Sequence, residues 1–236
     1  MVINWRCNRN FLRNLFRNKP KKIYIFLRFK YGLILIFILN FSAQAIPQNF
    51  QEPISHDSAD KNLPLQLVQA GIARTKLTIR YDGSYQNIDY PNGDVPSHIG
   101  VCTDVVIRAY RAVNVDLQQL VHEDMKANFS QYPSQHIWGM KSTDTNIDHR
   151  RVPNLQMFFS RVGEELSITP NQTDYLAGDL VTWLLPGNLP HIGIVSNQLD
   201  EKSKTPLIIH NIGSGPELSN MLFSYRITGH YRYFPH

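Results

Sequence analysis

Near Asp174 the hydrophobic pattern of this 236-residue chain changes period, and that change constrains the fold more than any composition figure. Before it, apolar residues recur at helical spacing. Leu65, Val68, Ile72 and Leu77 form one set, Cys102, Val105, Val106, Ala109 and Val113 a second, Leu117, Leu120, Val121 and Met125 a third, and Leu155, Phe158 and Phe159 a fourth, so four helices are predicted. After it come short apolar runs broken by Gly, Pro and polar turns: Leu180–Trp183, His191–Val195, Leu207–Asn211, Leu222–Tyr225 and Tyr231–Tyr233. Helices first and antiparallel strands second predict an α+β domain. Between the helical sets, residues 81–100 carry Asp-Gly, Pro-Asn-Gly and Asp-Val-Pro turns. Residues 129–151 read as a long polar loop whose Trp138, His149, Arg150 and Arg151 either line a cleft or decorate the surface. Adjacent residues on a helix diverge, so His122-Glu123-Asp124 is expected to be a solvated face rather than a metal site.

The first 45 residues carry nine basic residues and no acidic one, then an apolar run from Tyr31 to Phe41 and the small-residue exit Ser42-Ala43-Gln44-Ala45. This is the pattern of a secretory signal peptide cleaved after Ala45, with an uncleaved membrane anchor as the alternative. Residues 46–62 read as a polar spacer and residues 63–236 as one domain. Removing nine of the 24 basic residues leaves 15 against 19 acidic ones, a net charge of −4. The basic balance of the whole chain therefore belongs to the leader. The mature chain has no basic cluster beyond Arg150-Arg151, so nucleic acid is not an expected partner, and membrane contact is expected only through the leader. An envelope location and a monomer are expected.

Cys7 lies in the leader, which leaves Cys102 alone in the mature chain and unable to form an internal disulfide. At the start of a predicted helix its thiol meets unpaired backbone N–H groups and the positive end of the helix dipole. The expectation is a reactive thiolate with a lowered pKa; the competing reading is a buried structural cysteine. Cysteine hydrolysis of an amide also needs an imidazole and a group to orient it. The strands offer His191, then His210 or Asn211. If the two strands pair antiparallel, one register sets His210 across from His191 and a one-residue slip sets Asn211 there. His210 is preferred because it shares a side with Ile208 and Ile212. Cys102, His191 and His210 also have the right donor types for zinc but lack ligand-pair spacing.

Cys102-Thr103-Asp104, Gly178-Asp179-Leu180-Val181, His191-Ile192-Gly193-Ile194-Val195 and Ile209-His210 follow one another as the motifs of the NlpC-type cell-wall peptidases do. The chain resembles that branch of the papain-like superfamily. More closely, Tyr81–Tyr85, Gly100–Val106 and Val121–Met125 look like a bacterial family of exported proteins catalogued as domain of unknown function 1287, over about Leu63 to the C-terminus. The resemblance implies a papain-like core with the nucleophile-bearing helix packed on an antiparallel sheet. It also implies a peptidoglycan stem-peptide substrate, no cofactor and no metal. Cys102 would be the nucleophile, His191 the base and acid, and His210 or Asn211 the third member. Tyr81 would help bind the oxyanion, with Tyr85 and Tyr90 competing for that place. A wall-binding module without activity and a thiol acyltransferase stay open as alternatives. One departure stands out: the group has Asp-Cys-Ser-Gly where this chain has Val101-Cys102-Thr103-Asp104, so the role of the residue before the cysteine does not carry over.

Overall fold

A computed structural model describes residues 62–235; the proposed leader, its cleavage site and nearly all of the spacer lie outside them. The domain is mixed α+β. Five helices, α1 (Leu63–Arg74), α2 (Cys102–Ala112), α3 (Leu117–Ala127), α4 (Ser134–Trp138) and α5 (Val152–Val162), precede the larger sheet. Its strands are β3 (Glu164–Glu165), β4 (Leu180–Leu185), β5 (Leu189–Leu199), β6 (Pro206–His210), β7 (Glu217–Ser219) and β8 (Arg226–Arg232), arranged β3-β8-β4-β5-β6-β7, all antiparallel. A two-residue parallel pair, β1 (Arg80–Tyr81) and β2 (Ile99–Gly100), lies just before α2. Among the described residues no helix is long and apolar enough to cross a membrane.

The two faces of the sheet carry separate cores because strand residues alternate. Leu180, Ile192, Ile194 and Ile209 face the helices and pack with Cys102, Val106, Leu155 and Phe159, while Val181, Trp183, Val195 and Ile208 pack under Met221 and Leu222 on the other face. Tyr110, Phe158, Phe159, Tyr231 and Tyr233 form an aromatic seam between α2, α5 and the C-terminal strand, and the Tyr110 hydroxyl donates to the Tyr233 carbonyl at 2.7 Å.

α2 departs from the expected amphipathic helix. Its apolar stripe is where the periodicity places it, but Thr103, Asp104 and Arg108 on the polar side are also buried. The turn-rich segment before α2 and the 148–151 segment cover that side, and each polar group there has a partner. Arg108 donates to Asp94 and to the carbonyls of Ile99 and Val95; Thr103 donates to the Arg150 carbonyl. The expected 129–151 loop is likewise structured: it contains α4, and Asp148, His149 and Arg150 are buried. Nor is Asp124 on a solvated face. It accepts from Tyr132, Asn128 and Arg161, tying α3 to α5.

Gly178-Asp179, read as a turn, holds the sheet together. The fully buried Asp179 accepts from Arg232 Nε on Oδ1 at 2.8 Å, and its Oδ2 accepts from the Leu176 N–H and lies 2.9 Å from His230 Nε2, fastening β8 to the start of β4.

The register of β5 on β6 corrects both expected pairings. Ile194 faces Ile209 and Val195 faces Ile208, so one further step sets His210 across from Gly193, and His191 meets His210 on the diagonal. Gly193 makes this possible. A Cβ there would lie 2.6 Å from Ile208 Cγ2, 2.9 Å from the Ile209 carbonyl oxygen and 3.2 Å from His210 Cβ. Gly193→Ala is expected to destabilise the domain by about 1–3 kcal/mol through overpacking and to part the two imidazoles, measurable by chemical denaturation and by the histidine ring resonances.

Candidate active site

Cys102 opens α2, and its sulfur sits at the β5 backbone. The backbone N–H groups of Ile192, Thr103 and Cys102 itself lie near enough to favour the thiolate, although none makes a hydrogen bond to the sulfur among the described residues. The helix start is tied down by Asp104, whose Oδ2 accepts from the Val101 N–H at 2.7 Å, a cap that the Val101 side chain cannot supply. The same carboxylate receives Arg150 as a two-pronged ion pair, Nε to Oδ1 at 2.9 Å and Nη2 to Oδ2 at 3.0 Å, with both side chains almost fully buried. The acid that the resembling group places before its cysteine is therefore not simply moved. Asp104 caps the helix and anchors Arg150.

His191 Nε2 lies 3.1 Å from His210 Nδ1, and His210 Nε2 lies 2.7 Å from Ser219 Oγ, with Glu217 Oε1 3.6 Å from the same nitrogen. Neither Ser219 nor Glu217 is legible as a site residue without the β6–β7 pairing, which sets His210 across from Glu217. The Glu217 charge favours the tautomer in which His210 carries its proton on Nε2. Its Nδ1 then accepts from His191 Nε2–H, and the lone pair of His191 is left on Nδ1. Among the described residues no hydrogen bond joins His191 to the Cys102 sulfur; the thiol reaches β5 on its helix face, beside Ile192, while His191 projects from the other.

The expected low-pKa thiolate is not what this environment produces. Cys102 is 5% exposed, and burial pushes its thiol up to about 11, with the Asp104 charge adding to the rise; the three N–H groups pull the other way without offsetting it. Burial also moves His191 down to about 3, helped by His210, and His210 down to about 4. The free site thus holds a neutral thiol and two neutral imidazoles at pH 7. Because both imidazoles have depressed values, the folding stability they contribute is present above pH 6.5 and is lost as pH falls toward 4 and 3. Ring signals of His191 and His210 are expected not to titrate between pH 8 and 5 in an NMR pH series.

Of the three candidate tyrosines, Tyr81 lies beside the thiol. It pairs with Gly100 across β1–β2, and its hydroxyl is raised to about 12 by burial and then by the charges of Cys102 and Asp104. Tyr85 instead donates to Asp144 and accepts from Asn146, and Tyr90 packs edge-on against His122. Asn211 is a staple rather than a group facing His191: its Oδ1 accepts from the N–H groups of Gly213 and Gly215, and its Nδ2 donates to the Gly100 carbonyl. Among the described residues no three His, Cys, Asp or Glu side chains converge as a metal cage, so Cys102, His191 and His210 do not form the zinc arrangement considered from sequence. At Val101, the residue before α2, a cleft of about 370 Å³ is lined also by Gly83, Tyr85, Trp138, Ile147, Arg150 and Arg151.

A family model described as "Domain of unknown function (DUF1287)" matches residues 68–233, which include every residue of this site. The chain belongs to the DUF1287 family. A relative, the "Uncharacterized protein YijF" of Escherichia coli (strain K12), is 53% identical over 157 residues, covering 66% of this chain and 75% of its own length. The DUF1287 match starts within α1 and ends just after β8, so the buried residues of both apolar cores fall within it except Leu67.

Proposed function

We propose that this DUF1287 protein is an exported cysteine amidase or peptidase of the papain-like, NlpC-type kind that acts on peptidoglycan stem peptides as a monomer, without metal or cofactor. The observation that carries the reading is the approach to β5 of a helix-opening thiol on one face and, on the other, of an imidazole held by a second imidazole. In the substrate complex His191 takes the thiol proton as sulfur bonds to the amide carbonyl carbon. The oxyanion is received by backbone N–H at Cys102 and by the Tyr81 hydroxyl. The C–N bond then breaks as His191 returns the proton to the leaving amine, and water, deprotonated by the same imidazole, hydrolyses the thioester. His210 fixes the ring and tautomer of His191, with Ser219 behind it. In the free site the thiol and His191 lie on opposite faces of β5, so the step requires the start of β5 to bring the imidazole round to the sulfur as substrate binds.

Digestion of purified muropeptides by the mature domain, with products read by mass, tests the reading. Cleavage at a stem-peptide amide is expected, with His210→Ala losing about 10²-fold or more in kcat and Asn211→Ala losing far less turnover once folding is matched. Intact muropeptides after prolonged incubation would instead favour an inactive wall-binding module.

A further inference from the structure

Arg150 and Arg151 are adjacent in the chain and line the same cleft, yet their donors are disposed very differently. Arg150 is spent: Nε and Nη2 bind Asp104, and Nη1 donates to the Ser84 carbonyl. The Arg151 side chain makes no hydrogen bond to any described residue. Its guanidinium is nonetheless held in place, stacked over the Trp138 ring at 4.1 Å, with Nη1 3.6 Å from Asp148 Oδ1. That distance is too long for a hydrogen bond, and both atoms are buried without a partner. A positioned guanidinium with every donor unspent, in a cleft that begins at the residue before Cys102, is an incomplete site.

We propose that Arg151 binds a substrate carboxylate close to the amide that Cys102 attacks, with Trp138 fixing the guanidinium plane and Tyr85 forming the facing wall. This rests on the cysteine hydrolase reading and names its substrate class: amides flanked by a free carboxylate, in preference to the same amides with that carboxylate amidated. Planar, two-pronged recognition explains the need for an arginine rather than a lysine. Asp148 Oδ1, 3.6 Å from Nη1, offsets the guanidinium charge without engaging its donors, which leaves them available to a ligand. The sequence signal was only the Arg150-Arg151 pair and Trp138, which could not say which arginine was already engaged.

The test is binding, so that it does not depend on turnover. The full mature chain carrying Cys102→Ala is titrated calorimetrically with a stem tetrapeptide whose carboxylates are free and with the same peptide amidated. The free peptide is expected to bind at least about tenfold more tightly, a preference lost in a Cys102→Ala/Arg151→Gln protein and partly restored with Arg151→Lys. Cys102→Ala/Trp138→Leu, which leaves the charge but removes the stacking surface, is expected to weaken the same preference. Thermal midpoints verify that each variant is folded. Equal affinity for the two peptides, or a preference that survives Arg151→Gln, overturns the carboxylate site. If the preference is present but wild-type protein cleaves neither peptide, the hydrolase reading fails and the site stands. If both peptides are cleaved with equal kcat/KM, the reverse holds.

Discussion

Cys102→Ala is expected to reduce muropeptide hydrolysis by roughly 10⁴-fold or more while leaving the domain folded. In the proposed mechanism the sulfur forms the acyl intermediate. Its deletion costs the core little, because a buried thiol packs as a small apolar group and a methyl remains. Cys102→Ser separates chemistry from packing, since it keeps the shape and weakens the nucleophile. Alkylation of the wild-type thiol supplies the pH dependence. With the thiol raised to about 11 by burial, its reaction with iodoacetamide is expected to be slow at pH 7 and still climbing at pH 9.5. An inflection below 8.5 would mean that the N–H groups of Ile192, Thr103 and Cys102 outweigh burial after all. In the expected case the thiolate is made only once substrate is in place, which protects an exported free thiol from oxidation between turnovers.

Asp104→Ala is expected to be the most destabilising single substitution near the site. It strands the Arg150 guanidinium, 2% exposed, without its counter-charge and removes the cap on the Val101 N–H. Breaking one side of a buried ion pair costs about 3–5 kcal/mol, a fall in Tm of roughly 10 °C for a domain of this size. Arg150→Met is expected to cost a similar amount by the mirror argument, and the combined Asp104→Ala/Arg150→Met protein much less than the two single losses added together. A thermal denaturation cycle over the four proteins measures the coupling. Full additivity would mean that the two side chains act independently and that the cap alone carries the effect.

The elements were legible where one face of the chain meets one environment. α3 appears at the predicted residues, α2 begins at the predicted cysteine, and four of the five strand runs after Asp174 fall in the antiparallel sheet, because period 2 and period 3.6 are printed directly in the side chains; Leu222–Tyr225, expected as a strand, is instead a turn between β7 and β8 whose apolar residues pack on the sheet. What could not be read depends on pairing between distant segments. Asp104 and Arg150 are 46 residues apart, and nothing in either neighbourhood announces the other. The register of β6 follows from packing around Gly193, and both local registers missed it. The thiol's acidity was misjudged for a related reason: a helix start is visible in sequence, whereas the layers that bury it come from residues 79–100 and 144–151 folding back over α2, together with β5.

The place of β8 inside the sheet, between β3 and β4, sets a timetable for folding. Residues 226–232 are made after all the helices and after the strands they join, yet β4 has no neighbour on that side until they arrive, and Asp179 lacks both His230 and Arg232. Tyr110 likewise waits for a carbonyl 123 residues downstream. Assembly is thus governed by non-local closure and is expected to be slow. Until its last strand emerges, a nascent chain leaves one edge of β4 unpaired and the Asp179 carboxylate without its cation.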